Sequence, residues 1–209
     1  MTESALYSAI IDGDAPSAVA EVEQMLAAGT APQQLMEQHL IPAMSEVGHR
    51  FETNEFFVPE LLIAARAMQG TMKILNPLMA AAGTQKVGRV VIGTVQGDLH
   101  DIGKNLVAAM LEGGGFEVED LGVDVSPEAF IAAAKEKEGT VIALSALLTT
   151  TMPQMKKVVE LAVSEGLKGK AKIMIGGAPV TSEYAKEIGA DGYSENASAA
   201  VTLAKELVA

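Results

Sequence analysis

The spacing of hydrophobic positions changes part-way along the chain. Up to about residue 83, apolar residues recur three and four positions apart, which is typical of amphipathic helices. Leu6, Ala9 and Ile10 share one such face, and a longer helical pattern follows Pro59. The pattern predicts about three to four helices with short links, which would form a helical bundle over residues 1–83. Residues 84–88, rich in small and polar side chains, are predicted to be a linker.

From about Arg89 onward, short β-branched runs alternate with helical stretches. This alternation favours an α/β domain with a parallel sheet and helices on both faces. Right-handed crossovers then favour a flavodoxin-like (Rossmann-type), doubly wound sheet of about five strands over residues 89–209. The predicted strands are Val90–Val95, Phe116–Asp120, Thr140–Leu144, Lys172–Ile175 and a short one near Gly192, and the predicted helices lie near Lys104–Leu111, Pro127–Lys137, Pro153–Glu165, Ser182–Ile188 and Ala197–Leu207.

Composition narrows the classes of function. The chain has no cysteine, which excludes disulfides, thiolate metal sites and thiol nucleophiles, and which suits a reducing cytoplasm. The formal net charge is −12 and there is no extended basic patch, so we expect neither nucleic acid nor an anionic membrane surface as a partner. No signal-peptide pattern and no membrane-spanning apolar run is present, and we therefore expect a cytoplasmic protein.

The segment from Gly97 to Lys104 carries the strongest candidate chemistry. It follows the first predicted strand and precedes a helix, which places it at the sheet edge where open α/β folds bind ligands. Neutral imidazole is a common metal ligand, so His100 is a candidate metal ligand. Asp98, two residues earlier, is close enough to accept a hydrogen bond from the other ring nitrogen. Gly103 would let the backbone turn tightly or approach a bulky ligand.

Two further loops are predicted at the same edge, and each also has an ordinary structural explanation. Ser145–Thr151 is rich in hydroxyl groups, part of which helix capping ahead of Pro153 would explain. Gly176 and Gly177 could reflect a turn or tight packing, and the Asp98–His100 segment could be an exposed Asx turn. His39 and His49, in the helical part, are interpreted as core-edge or surface residues.

The chain resembles cobalamin-binding domains. The resemblance rests on Gly-Asp-x-His-Asp-Ile-Gly-Lys-Asn from Gly97, then Ser-x-Leu from Ser145, then the glycine pair at Gly176. The helical part is similar to the cap of the methyltransferase branch, notably over residues 55–62 and 64–68. The resemblance covers nearly the whole chain. It extends to stand-alone corrinoid proteins of methylamine, methanol, glycine betaine and aryl-ether methyltransferase systems, and to the cobalamin module of methionine synthase.

The resemblance implies a role for each matching residue. His100 would be the lower axial ligand of cobalt in a base-off, His-on state, Asp98 its hydrogen-bond partner, and Thr151 the hydroxyl that extends this relay. Further cofactor contacts are implied at the corrin for Gly97, Leu99 and Asp101, at the nucleotide tail for Ser145, Thr149, Gly176, Gly177 and Ala197, over the upper corrin face for Phe57 and Leu61, and elsewhere in the site for Gly103 and Leu147.

The function implied by the resemblance is that of a methyl carrier. Cobalt(I) would accept a methyl group from a donor on a substrate-specific methyltransferase, such as one for an aryl methyl ether (O-demethylation) or a methylamine. Methylcobalt(III) would pass the group to an acceptor methyltransferase acting on tetrahydrofolate or a thiol, and a reductive activator protein would complete this anaerobic one-carbon system. The chain would thus be one component of a multi-protein enzyme system. The alternatives are a subunit of an adenosylcobalamin mutase, a non-catalytic cobalamin sensor and a flavodoxin-like module without a corrinoid.

Overall fold

The chain folds into two compact units. The computed structural model describes residues 4–83, 86–137 and 140–209. One unit comprises Met1–Lys86 with Glu112–Gly115, and the other Val87–Leu111 with Phe116–Ala209. Two positions of the predicted linker, 84 and 85, lie outside the described residues. Within those residues, no helix combines the length and apolar character needed to cross a membrane.

The first unit is helical, as the periodicity predicts. Ser4 and Asp14 begin the first two helices, and each side chain accepts a hydrogen bond from the backbone N–H three residues later, at 3.2 and 3.1 Å. The helical run that begins at Pro32 is continuous to Glu52, and its middle turn is π-helical. The elements are α1 (Ala5–Ile11), α2 (Ala15–Ala27), α3 (Pro32–Leu35), a π-helical segment (Met36–Leu40), α4 (Ile41–Glu52) and α5 (Val58–Ala81).

The long helix α5 differs slightly from the predicted one at its start. It begins at Val58, before Pro59, because a proline in the first turn lacks only an N–H that has no helical partner there. The Glu60 carboxylate accepts a hydrogen bond from the Phe57 N–H at 2.9 Å, which caps this end. The positions Leu61, Ala65, Met68, Met72, Leu75 and Met79 are all buried, at the spacing expected of one helix face.

The second unit is a parallel five-stranded sheet with the order β2-β1-β3-β4-β5. This is the doubly wound, flavodoxin-like arrangement that the sequence predicts. Boundaries differ from the predicted ones by one or two residues at most ends. The strands are β1 (Arg89–Thr94), β2 (Glu117–Asp120), β3 (Thr140–Ser145), β4 (Lys172–Gly176) and β5 (Gly192–Ser194), and the helices are α6 (Ile102–Gly113), α7 (Pro127–Lys135), α8 (Met152–Ser164), α9 (Ser182–Ile188) and α10 (Ala197–Val208).

Apolar residues fill both faces of the sheet. Along β1, Val90 and Ile92 belong to one buried cluster and Val91 to another, because successive side chains of a strand point to opposite faces. Strands covered on both sides read as continuous apolar runs, which is why these strands could be recognised. The strand order reverses between β1 and β3, and the crevice at such a switch point is where open α/β sheets bind ligands.

Tight packing at the carboxyl edge of the sheet explains the glycine pair. Gly177 has φ +133°, and a Cβ built on it would lie 1.9 Å from the carbonyl oxygen of Ala146. A Cβ on Gly176 would lie 3.1 Å from the carbonyl oxygen of Ser194. The fold itself therefore requires glycine at position 177, whatever the edge binds.

Gly103 has a different environment from the one expected. The expectation of a tight turn there is wrong, because Gly103 lies in the first turn of α6 with an ordinary helical backbone. A Cβ built on it would meet nothing within 4 Å. The other expectation, that this glycine leaves room for a closely approaching ligand, stays a prediction.

Replacing Gly177 by alanine should lower the free energy of unfolding by about 2–4 kcal/mol, because the new methyl group would overlap a backbone carbonyl. Urea unfolding followed by circular dichroism measures this change. Gly103→Ala is the matched control and should change stability by no more than about 1 kcal/mol. Equal stability of the two variants would contradict the packing explanation.

Candidate ligand site at the carboxyl edge of the sheet

The candidate site is built around the loop that joins β1 to α6. Two hydrogen bonds attach this loop to the sheet. The Thr94 hydroxyl donates to the carbonyl oxygen of His100 at 2.9 Å, and the Val95 N–H donates to the carbonyl oxygen of Ser145 at 3.0 Å. Gly97 has φ +83°, a conformation that glycine adopts without strain. The loop therefore leaves the strand in a defined direction at the switch point of the sheet.

His100 and Asp98 form a hydrogen-bonded pair. The Nδ1 atom of His100 lies 2.7 Å from Oδ1 of Asp98, and the same oxygen accepts the His100 backbone N–H at 3.1 Å. The Asp98 side chain has no exposed surface, whereas that of His100 is 50% exposed. Among the described residues Nε2 of His100 has no hydrogen-bond partner, which leaves this nitrogen available to a ligand.

The second carboxylate oxygen of Asp98 joins this loop to the loop after β3. Its Oδ2 accepts hydrogen bonds from Leu147 N–H at 2.8 Å, from Leu148 N–H at 3.3 Å and from the Thr151 hydroxyl at 2.8 Å. The hydroxyl also lies 2.9 Å from the carbonyl oxygen of Leu148. It has one proton to donate, and the carboxylate is the stronger acceptor. The donors lie between 49 and 53 positions after Asp98 in the sequence, and all of them bind its side chain.

The expectation that hydroxyl groups of this segment cap the following helix is wrong. Thr151 stands at the N-cap of α8, yet its side chain accepts no hydrogen bond from the helix. Its hydroxyl is turned towards Asp98, because a buried carboxylate gains more from a hydroxyl donor than an exposed helix end does. Thr149 and Thr150 are exposed.

The electrostatics of Asp98 favour the ionised form. Burial by itself would raise the pKa of Asp98, but hydrogen bonds from His100, Leu147 and Thr151 outweigh it and hold the pKa well below its usual range. An ionised carboxylate can only accept hydrogen bonds, so Nδ1 of His100 must carry a proton. In the neutral ring Nε2 then has a free lone pair, as a metal ligand requires.

The environment of His100 supplies a single ligand atom. Across residues 4–83, 86–137 and 140–209, no group of three or more His, Cys, Asp or Glu side chains could hold a metal ion. A bare zinc or iron ion, which takes several protein ligands, does not fit this chemistry. A metal held in a macrocycle, which brings its own equatorial ligands and needs one axial bond, does fit it.

Exposed apolar side chains lie close to His100 in the sequence and in the loop after β3. Leu99 is 71% and Ile102 73% exposed, and Leu147 and Leu148 are also exposed. Folded proteins seldom expose several large apolar groups together unless the surface binds something. Ile102 and Leu148 were not predicted as site residues, although their position beside the motif was a usable signal. Asp101 is exposed and accepts a hydrogen bond from the Asn105 side chain at 3.1 Å.

The carboxyl ends of four strands lie side by side and bring the remaining candidates together. The register pairs Thr94 with Ser145, Ser145 with Gly176, and Gly176 with Ser194. Ser194 was not predicted. It is buried, next to Gly176 in the register of the sheet. Ala197, the first residue of α10, is buried.

The candidates in the helical unit differ in their accessibility. Phe57 is 60% exposed, at the start of α5, whereas Leu61 has no exposed surface. In the described conformation Leu61 therefore offers no face to a ligand. The other two histidines are not part of the site. Nδ1 of His39 is hydrogen-bonded to the Ser4 hydroxyl at 2.8 Å, and His49 is exposed on α4.

Comparison with protein families matches both units. Residues 88–202 match the model described as a B12 binding domain, and residues 2–76 match a second B12 binding domain model. The chain is 45% identical over 190 residues to dimethylamine corrinoid protein 3 of Methanosarcina acetivorans, covering 91% of this chain and 89% of the relative. It is 52% identical over 167 residues to the protein of the same name from Methanosarcina mazei, covering 79% of this chain and 100% of the relative.

Solved structures agree with the sequence relatives. A cobalamin-binding protein from Desulfitobacterium hafniense has a TM-score of 0.79 at 34% identity, with 98% of each chain covered. A chain of the methanol:cobalamin methyltransferase complex MtaBC from Methanosarcina barkeri has a TM-score of 0.86 at 30% identity, covering 98% of this chain and 78% of that one.

Replacing Asp98 by asparagine should destabilise the fold by about 1–3 kcal/mol near pH 7, because a buried charged acceptor is lost. A lowered pKa gives a stabilisation that is complete above the unfolded value of about 4 and is lost as the pH falls further. The stability gap between wild type and variant should therefore narrow below about pH 4. Urea unfolding at a series of pH values measures this difference in stability. Asp101→Asn is the control variant. A difference that does not change with pH would contradict the proposed ionised state of Asp98.

Proposed function

This chain belongs to the B12-binding family, among the corrinoid proteins of methyltransferase systems, and from that premise we propose that His100 is the lower axial ligand of the cobalt. One observation carries the proposal. Nδ1 of His100 is held by a buried carboxylate, while Nε2 is without a partner at an exposed apolar edge. The protein would then hold cobalamin in the base-off, His-on state, with the nucleotide tail displaced from the metal.

The chain is a methyl carrier that binds cobalamin and works with methyltransferases. Bound cobalamin supplies the transfer chemistry, since its cobalt can accept a methyl group from one partner and give it to another. The donor set fits this cofactor, because a corrin would bring its own nitrogen ligands and His100 would supply one more. What remains for the polypeptide is to orient the axial ligand, to place protons and to exclude water.

The Asp98 carboxylate controls the proton on His100. It fixes the proton at Nδ1, which leaves the lone pair on Nε2. Thr151 and Leu147 hold the carboxylate in place from the other side, so they keep its position independent of the state of His100.

The remaining candidates would surround the cofactor. We assign Leu99, Leu147 and the backbone at Gly97 and Gly103 to the corrin, with Asp101 beside them. We assign Ser145, Thr149, Gly176, Gly177 and Ala197 to the nucleotide tail, and Phe57 and Leu61 to the upper corrin face. Phe57 is exposed enough to cover a ligand, whereas Leu61 would require a rearrangement of the helical unit. We keep residues 84–88 as the linker between a helical domain, 1–83, and the cobalamin domain, 89–209.

We further propose a methylamine, of the dimethylamine class, as the methyl donor. Relatives named for dimethylamine are 45–52% identical to this chain, and one named for trimethylamine is 44% identical. The chain from the methanol complex is 30% identical. The acceptor would be a second methyltransferase acting on a thiol or tetrahydrofolate. A reductive activator protein would restore cobalt(I), in a cytoplasm whose reducing conditions suit a cysteine-free carrier.

Removing the imidazole should remove the axial nitrogen from cobalt. In the reconstituted His100→Ala variant, the electron paramagnetic resonance spectrum of cobalt(II) should lose the hyperfine splitting from an axial nitrogen, while the bound corrinoid stays near one per chain. His49→Ala, which changes an exposed histidine of α4, is the control and should keep the splitting. Splitting that survives in His100→Ala would overturn the assignment of the ligand.

The donor is tested by pairing the reduced carrier with purified methyltransferases for dimethylamine, trimethylamine and methanol. We expect the dimethylamine enzyme to methylate the carrier at least about tenfold faster than the methanol enzyme, a difference of about 1.4 kcal/mol. The absorption change of the corrinoid gives the rate. Iodomethane, which needs no partner protein, checks that each preparation is competent. Equal rates with all three enzymes would contradict the donor proposal.

A further inference from the structure

A second loop holds the His100 loop from the side opposite to Thr151. Asp124, between β2 and α7, makes two hydrogen bonds to it. The Asp124 N–H donates to the carbonyl oxygen of Asp98 at 3.0 Å, and Oδ1 of Asp124 accepts the Gly97 N–H at 2.7 Å. Both contacts lie within the segment that carries His100, yet Asp124 is 27 positions away from Gly97.

The rest of this loop follows the end of β1. Thr94 N–H donates to the carbonyl oxygen of Gly122, and Val125 N–H donates to that of Thr94, each at 3.0 Å. Thr94 in turn donates its hydroxyl to the carbonyl oxygen of His100 at 2.9 Å. Together with the bonds of Asp124, these contacts join the loop after β2 to Thr94, Gly97 and Asp98.

Asp124 adopts an unusual backbone conformation to make these contacts. Its φ is +54°, in the left-handed region that non-glycine residues seldom occupy. Aspartate tolerates this region better than most residues, but glycine would occupy it without cost. The side chain is exposed, so burial of apolar surface does not explain the choice of residue. The carboxylate bond to Gly97 N–H is what distinguishes aspartate from glycine at this position.

We propose that Asp124 is a positioning residue for axial ligation, which holds Gly97 and Asp98 so that Nε2 of His100 is presented to cobalt in a fixed place. The inference rests on the proposed role of His100. A ligand that is already ordered loses less conformational freedom when it binds, so the axial bond is stronger when the loop is held. Charge-assisted hydrogen bonds to backbone N–H groups are strong enough for this purpose.

The expected effect is a three- to tenfold weaker axial bond to cobalt(II) when the carboxylate is removed. Cobalt(I) prefers low coordination, so weaker binding to cobalt(II) makes reduction easier. A tenfold loss corresponds to a midpoint potential about 59 mV more positive for this one-electron couple. Spectroelectrochemical titration of the reconstituted protein measures the potential, and cobalt(II) paramagnetic resonance reports the axial nitrogen.

Three variants separate positioning from other effects. Asp124→Gly keeps the backbone conformation and loses the acceptor, so it should shift the potential. Asp124→Asn keeps an acceptor oxygen and loses the charge, so it should shift the potential by less than Asp124→Gly does. Asp191→Gly is the matched control. Asp191 accepts the Ile173 N–H at 2.8 Å and donates its own N–H to the Ile173 carbonyl at 2.7 Å, at the opposite edge of the sheet. It should lower stability without moving the potential.

The double variant Asp124→Gly with His100→Ala decides the mechanism. If Asp124 acts through His100, the shift caused by Asp124→Gly should vanish in the His100→Ala background. A shift that persists there, or an equal shift in Asp124→Asn, would overturn the inference, because charge alone would then explain it. No shift in Asp124→Gly would also overturn it. If His100→Ala itself changes neither potential nor hyperfine splitting, the proposed axial ligand fails instead.

Discussion

The buried carboxylate of Asp98 is the interaction on which the site depends. It accepts hydrogen bonds from the ring and backbone of His100, from two backbone N–H groups of the loop after β3, and from the Thr151 hydroxyl. A buried charge without such partners would be too costly to keep. The same bonds that compensate its burial therefore also connect two loops and orient the imidazole. Structural and chemical roles are combined in one side chain, so neither can be changed separately.

The sheet topology makes this convergence available. Parallel strands put all their carboxyl ends at one edge, and the reversal of strand order between β1 and β3 brings the His100 loop next to the loop with Thr151. Close packing then limits which residues fit at particular positions of this edge. Gly177 is required because a side chain there would overlap the Ala146 carbonyl, so its presence is explained without any ligand. Gly103, by contrast, lies in open space, where a Cβ would meet nothing within 4 Å, so packing within the chain does not require glycine there.

The elements of the fold could be predicted because their signals are local. Strands covered on both faces read as apolar runs such as Val90–Ile92, and amphipathic helices repeat their apolar residues every three to four positions. Where a predicted helix boundary differs from the observed one, as at the start of α5 before Pro59, the cause is local and is not part of the hydrophobic periodicity. Among site residues, His100 and Asp98 were found because two positions separate them. Ser194 and Asp124 were missed, because the site residues beside which the fold places them are distant in sequence.

The sequence by itself determined the two-part organisation, the alternation of strands and helices, and a histidine with a nearby carboxylate at a strand end. Composition also determined that no thiolate site exists, and hence that His100 stands without cysteine ligands. The tertiary structure decided which hydroxyl reaches Asp98, which glycine is required by packing, and which loop holds the histidine from outside. The physical reason is the separation along the chain over which each interaction acts. Hydrophobic periodicity acts over a few residues, whereas a hydrogen bond such as Thr151–Asp98 joins groups 53 positions apart, and only the folded backbone brings them within 2.8 Å.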